Sequence, residues 1–144
     1  LGYTVYSTVR SLKPEYMRLP GIELGQLRRA GHAIEDESEQ ASFTFIGDST
    51  ALTLHREAHI WQSKVLVLES TYVGESDRGR AQAGGHTHLD EIADALEQHK
   101  ENVRTEHLVL KHFSLKYSDS QIRDEVRRVM PPWFLSRVQL LIGL

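Results

Sequence analysis

The sequence predicts an α/β domain, and three observations carry that expectation. Short apolar runs rich in β-branched residues alternate with amphipathic stretches of helical period. Composition is that of an ordinary globular chain, with 40% apolar and 26% charged residues, four prolines and ten glycines, which excludes collagen-like, coiled-coil and disordered classes. Length is the third observation: 144 residues suit one domain that buries roughly 68–70% of the surface its unfolded chain exposes. No repeat or low-complexity tract interrupts the alternation, and no apolar stretch approaches the roughly 18 residues of a membrane span.

Tyr3 to Val9, rich in Tyr, Val and Thr, predicts a first strand. Lys13-Pro14-Glu15 and Leu19-Pro20-Gly21 are turn sequences, and Leu24 and Leu27 predict a short helix between Ile22 and Ala30 that Gly31 stops. The acidic stretch from Glu35 to Glu39 reads as a solvated loop. Phe43 to Ile46, Val65 to Leu68 and Leu108 to Leu110 are apolar runs that suit strands buried on both faces. Leu89, Ile92, Ala93 and Leu96 mark one helical face, with Thr87 and Asp90 as its candidate cap. Ser118 with Gln121 forms a capping-box pattern, and Ile122, Val126 and Val129 extend a helix that Pro131-Pro132 ends. Val138 to Ile142 is strand-like again.

Each of the three apolar runs leads into polar residues: Gly47-Asp48, Glu69 and, shortly after Leu110, His112. Carboxyl ends of strands in an α/β sheet gather at one edge, where ligands bind. Asp48, Glu69 and His112 are therefore expected on one rim, and His86 joins them from a glycine-rich loop. The chain has no cysteine, so a metal would be held by His, Asp or Glu, and the eight histidines keep that option open. An aspartate and a histidine suit Zn²⁺ or Mn²⁺, and a second carboxylate and imidazole suit proton transfer. Plainer readings stand beside these. Gly-Asp-Ser after a strand is commonly only a turn, Glu69 suits an exposed strand end, His88 a helix cap or surface residue, and His112 a buried core histidine. A net charge of −3 argues against a broad basic face for nucleic acid.

A set of motifs narrows these choices. Gly2-Tyr3 to Tyr6, Leu12-Lys13-Pro14-Glu15-Tyr16, Leu19-Pro20-Gly21, Phe45-Ile46-Gly47-Asp48, Leu68-Glu69-Ser70-Thr71-Tyr72, Gly85-His86-Thr87-His88-Leu89 and Lys111-His112-Phe113-Ser114-Leu115-Lys116-Tyr117 follow one another through nearly the whole chain. In order and spacing they resemble the C-terminal half of tRNase Z (ribonuclease Z), particularly its short form. The resemblance implies the metallo-β-lactamase fold, an αββα sandwich with two zinc ions at one edge, of which residues 1–144 would be the C-terminal half: a mixed sheet with helices packed on one face. It implies a metal-dependent phosphodiesterase that removes the 3′ trailer from precursor tRNA; the compartment is unknown from the sequence, with intracellular sites (cytoplasm, nucleus or an organelle) all open. By the same resemblance, Asp48 bridges the metals, His112 ligates one of them, Glu69 and His86 deliver a proton to the departing 3′ oxygen, and Ser114 and Lys116 meet substrate phosphate.

Departures from the family pattern set further expectations. Ser49 stands where the family usually has threonine, Lys111 where it has threonine and Lys116 where it has arginine; lysine meets a phosphate as a point charge without the bidentate fork. The principal metal motif, His-x-His-x-Asp-His, and the basic arm that grips tRNA occur nowhere in the chain, which opens Leu1-Gly2-Tyr3 without methionine. The expectation is a cut piece that holds zinc weakly, cleaves nothing alone and self-associates, for instance as a homodimer, through the sheet face its missing half would cover. Two other functions fit the same residues: another metallo-β-lactamase-type hydrolase, such as a phosphodiesterase of cyclic nucleotides, or a structural protein with remnant motifs.

Overall fold

Alternating apolar runs and helical stretches build a five-stranded sheet with the strands in chain order, β1-β2-β3-β4-β5. The structure, a computed structural model, describes residues 1–143. Its main elements are β1 (Gly2–Leu12), α1 (Gly21–Arg29), β2 (Glu35–Ile46), α2 (Leu52–Arg56), β3 (Val65–Glu69), α3 (Arg78–Gly84), α4 (Leu89–Gln98), β4 (His107–Lys111), α5 (Asp119–Val129) and β5 (Val138–Leu140). The strands β2 to β5 pair parallel. β1 runs antiparallel to β2: Gly47 N donates to Leu1 O at 3.0 Å, Ser42 Oγ to Val5 O at 3.0 Å and Lys13 N to Ile34 O at 2.9 Å, so partners recede along β2 as β1 advances. The sheet is therefore mixed, as expected. Helices separate the parallel strands because a parallel return needs a crossover longer than a hairpin.

Two compact units divide the chain, Leu1–Val5 with Ala41–Leu144, and Tyr6–Gln40. The first holds the core. Leu66 and Leu68 of β3 and Leu108 and Leu110 of β4 are fully buried against Leu89, Ile92 and Leu96 of α4 and Ile122 and Val126 of α5. Their neighbours Val65, Val67 and Val109 point to the opposite side and are half-buried. Helices thus pack on one face only, which corrects the expectation of strands buried on both faces. Ser118 Oγ accepts from Gln121 N at 3.3 Å and Gln121 Oε1 accepts from Ser118 N at 2.8 Å, the capping box the sequence predicts at the start of α5.

The second unit is a two-stranded ribbon with α1 at its turn. Glu35 to Glu39 is solvated as expected, yet it is strand rather than loop. Opposite charges account for this: across the ribbon Glu37 accepts from Arg10 at 2.7 Å and Asp36 lies 4.0 Å from Lys13, while Glu35 pairs with Arg28 of α1. Apolar periodicity gives no sign of α2 and α3, which at five and seven residues are too short to repeat a hydrophobic face. No helix among the described residues is long and apolar enough to cross a membrane.

Candidate functional site

Parallel register brings three strand ends to one edge of the first unit. Phe45 lies opposite Val67, and Glu69 opposite Lys111, so Asp48, Glu69 and His112 leave β2, β3 and β4 at a common level, as the sequence predicts.

Glu69 is the most firmly held of them. It is 1% exposed, which rules out the plainer reading of an exposed strand end. Its Oε1 accepts from Thr87 N at 2.8 Å and Ser49 N at 3.3 Å, and its Oε2 from Thr71 N at 2.9 Å and Thr71 Oγ1 at 2.6 Å. A buried carboxylate is tolerated only with such a set of donors. Three loops are thereby pinned to one side chain. Thr87 Oγ1 adds a bond to Ser49 O at 2.6 Å and fastens the Asp48 turn to the start of α4.

His86 arrives through a helix end. Gly85 closes α3 at φ 73°, a left-handed conformation that glycine adopts without a Cβ penalty, and His86 N returns to Ala81 O at 2.9 Å. The imidazole Nδ1 then stands 3.2 Å from Glu69 Oε1. His112 itself has φ 62°, uncommon for a residue with a side chain and costly enough that surrounding structure must impose it. Ser114 N does so in part by donating to Thr71 O at 2.9 Å. The His112 side chain is 47% exposed, not a core histidine, and its Nδ1 lies 3.4 Å from Asp48 Oδ1 and 3.1 Å from Thr71 Oγ1. The rings of His86 and His112 are 5.5 Å apart.

His88 does not belong to this group. Its Nδ1 accepts from Asp90 N at 3.2 Å, its own N–H donates to Glu91 Oε2 at 2.8 Å, and its Nε2 bonds Gly74 O at 2.9 Å, with the His88 side chain itself fully buried. It caps α4, one of the plainer readings above, and moves the expected cap from Thr87–Asp90 one residue on.

Asp48, His86 and His112 each offer a donor atom within 4.8 Å of the other two. Two imidazoles and a carboxylate are a donor set that suits zinc. Donors around one zinc ion at about 2.0–2.2 Å stand about 3.3–3.5 Å apart, so the group needs to contract by at most about 1.5 Å. Exposed Asp48 and His112 have the freedom to do that, and so few protein ligands leave coordination positions open whether or not His86 joins them. The residues therefore fit a metal.

Lys116 and Ser114 lie on the loop that follows His112. The Lys116 ammonium is tied to buried Asp77, which also accepts from Tyr117 Oη, and it stands 4.8 Å from the Tyr117 ring centre. The hydrogen bonds from Lys116 and Tyr117 hold the Asp77 carboxyl below its ordinary value, and Asp77 in turn raises the Lys116 ammonium. Ser114 meets the site through its backbone bond to Thr71. Sequence reasoning missed Asp77 and Thr71, the latter inside a quoted motif without a role of its own, and gave Thr87 only the helix-cap role rather than its bonds to Glu69 and Ser49.

No protein-family model matches the chain. It is 36% identical over 134 residues to tRNase Z TRZ1 of Arabidopsis thaliana, a match covering 91% of the chain and 46% of that protein. The chain is homologous to the tRNase Z proteins. A second relative, the chloroplastic tRNase Z TRZ2 of the same plant, is 31% identical over 131 residues, covering 89% of the chain and 36% of the relative. The chain thus spans less than half the length of either tRNase Z, and its mixed five-stranded sheet with helices on one face is consistent with a portion of a metallo-β-lactamase domain.

Proposed function

We propose that this chain is the C-terminal half of the catalytic domain of a zinc-dependent endoribonuclease that removes the 3′ trailer from precursor tRNA. The observation that carries the reading is the Glu69–His86 contact of 3.2 Å beside the His112–Asp48 contact of 3.4 Å, in a chain homologous to tRNase Z. Asp48 and His112 are the metal ligands in this proposal. Zinc bound there supplies charge neutralisation at the scissile phosphate and activation of water. Glu69, fixed by backbone amides, receives the Nδ1–H of His86 and stabilises the imidazolium charge, so His86 Nε2 delivers its proton to the departing 3′ oxygen. Ser114 and Lys116 flank His112 on the side proposed to meet phosphate, where Lys116 shares its ammonium between substrate and Asp77.

Two or three ligands make a weak site, because affinity follows ligand count and an organised surrounding shell. The chain alone is therefore proposed to bind zinc weakly, to leave precursor tRNA uncut, and to self-associate through the half-buried face bearing Val65, Val67 and Val109. Precursor tRNA with a 3′ trailer is the test substrate. The 144-residue chain with zinc is expected to leave it intact, and cleavage at the trailer junction is expected when a segment bearing His-x-His-x-Asp-His is supplied from a tRNase Z relative. Glu69→Gln and His86→Ala are expected to abolish that restored cleavage. Specific cleavage by the chain alone, or restored cleavage indifferent to His86→Ala, would overturn the proposal. Sedimentation reads the self-association, which a monomer at high concentration contradicts.

A further inference from the structure

Thr71 stands where the buried carboxylate and both rim histidines meet, and the proposed function gives it no task. Its hydroxyl has one proton to donate and lone pairs to accept with. The proton goes to Glu69 Oε2 at 2.6 Å. Towards His112 Nδ1 at 3.1 Å and His86 Nδ1 at 3.2 Å the same oxygen is left to accept. The second neighbour of each nitrogen is also an acceptor, Asp48 Oδ1 at 3.4 Å from His112 and Glu69 Oε1 at 3.2 Å from His86. A ring nitrogen that faces only acceptors carries the proton, which leaves the other nitrogen bare.

We propose that the Thr71 hydroxyl is a positioning group that holds His112, and with Glu69 also His86, in the Nδ1–H tautomer when the ring is neutral, so that Nε2 is the nitrogen left to bind a metal at His112 and to take up, as imidazolium, the proton that His86 hands on. One hydroxyl would then couple the metal-ligand histidine to the proton-transfer histidine. Neutral histidine in water favours the opposite, Nε2–H form, so the assignment is a departure that needs a cause. His88 supplies the contrast within the same molecule: its Nδ1 accepts from Asp90 N and its Nε2–H donates to Gly74 O. The backbone of Thr71 is secured separately, by Thr71 N to Glu69 and Ser114 N to Thr71 O, so removing the hydroxyl leaves the loop tied.

The relevance to catalysis rests on the proposed function, whereas the tautomers themselves are read without it. Long-range ¹H–¹⁵N correlation spectra of the zinc-free 144-residue chain, at about pH 8.5 where ordinary imidazoles are neutral, report which ring nitrogen carries the proton. His86 and His112 are expected to show the Nδ1–H pattern and His88 the Nε2–H pattern. In Thr71→Val, His112 is expected to turn to the Nε2–H form while His86, still held by Glu69, and His88, which reports that the variant is folded, stay as they were. Thr71→Ser is expected to restore the original pattern, and Asp48→Ala to leave it unchanged. A wild-type His112 in the Nε2–H form overturns the inference, as does a His112 that responds to Asp48→Ala but not to Thr71→Val. Failure of the tRNA cleavage test would sink the proposed function and leave these spectra untouched.

Discussion

Two buried carboxylates of the first unit, Glu69 and Asp77, are 1% and 3% exposed, and they are neutralised by different means. Asp77 receives a lysine ammonium and a phenol, with the Arg80 guanidinium 3.7 Å away. Glu69 receives backbone N–H groups of Ser49, Thr71 and Thr87, the Thr71 hydroxyl and one imidazole. A charge met by a fixed cation is a strut: its proton inventory is constant near neutral pH. A charge met by amide dipoles and one imidazole is held mainly by neutral groups, and the imidazole, His86, is part-exposed at the rim. The same burial is thus met by an ion pair in one place and by a cage of amides with a rim histidine in the other.

Removing Glu69 should do the greatest damage. Glu69→Ala strands the Ser49, Thr71 and Thr87 amides in a dry site and loosens three loops at once, a loss of about 3–4 kcal/mol on the scale of buried donors left without acceptors. The urea midpoint of the purified chain measures it. A loss under about 1 kcal/mol would mean that water replaces the carboxylate freely, and the contrast with Asp77 would collapse.

Asp77→Asn should cost less, about 1–2 kcal/mol, since the freed lysine swings into water and only the hydrogen bonds of the pair are weakened. Its pH dependence separates it further. The folded-state pKa of Asp77 lies below the ordinary 3.8 because Lys116 and Tyr117 donate to its charged form, so its stabilisation is complete above that value and fades as pH falls towards the folded-state one. Lys116 is raised above the ordinary 10.5 by Asp77, so the contribution of that group is complete below 10.5 and is lost as pH rises through the folded-state value. Melting temperatures of wild type and Asp77→Asn should therefore differ by a constant amount between about pH 5 and 9 and converge at both extremes. A gap that changes through pH 6 to 7 would show that a histidine, not Lys116, governs Asp77.

The sequence shows much of this fold and less of the wiring. Strands β3 and β4 and helices α4 and α5 were legible because burial writes a period into apolar residues, at Leu66 and Leu68 or at Ile92 and Leu96. Glu35 to Glu39 was not, since a ribbon with charged residues paired across it needs no apolar alternation. The α4 cap shifted to His88 because an imidazole nitrogen, outside the usual Ser, Thr, Asp and Asn, took the Asp90 amide. Asp48, Glu69, His86 and His112 were legible as polar ends of apolar strands and as motif residues. Thr71 and Asp77 were not, because a hydroxyl or a lone aspartate acquires its role from partners such as His112 and Lys116, which lie 41 and 39 residues away in sequence.

The smallest effect tests whether the phenol or the lysine neutralises Asp77. Tyr117 Oη donates to Asp77 and accepts from Gly74 N at 3.2 Å, and burial raises the phenol so that it stays protonated as this donor. Tyr117→Phe keeps the ring, including its face towards Lys116, and removes one donor from the carboxylate and one acceptor from Gly74. Because Lys116 still meets Asp77, the loss should be about 1 kcal/mol, the net worth of an ordinary hydrogen bond, read from urea unfolding with the slope unchanged. Combined with Asp77→Asn, it should cost clearly less than the two separate losses added, since both act on one bond. Full additivity would mean that Tyr117 stabilises the Gly74 turn independently, and Asp77 would then be a lysine-only strut.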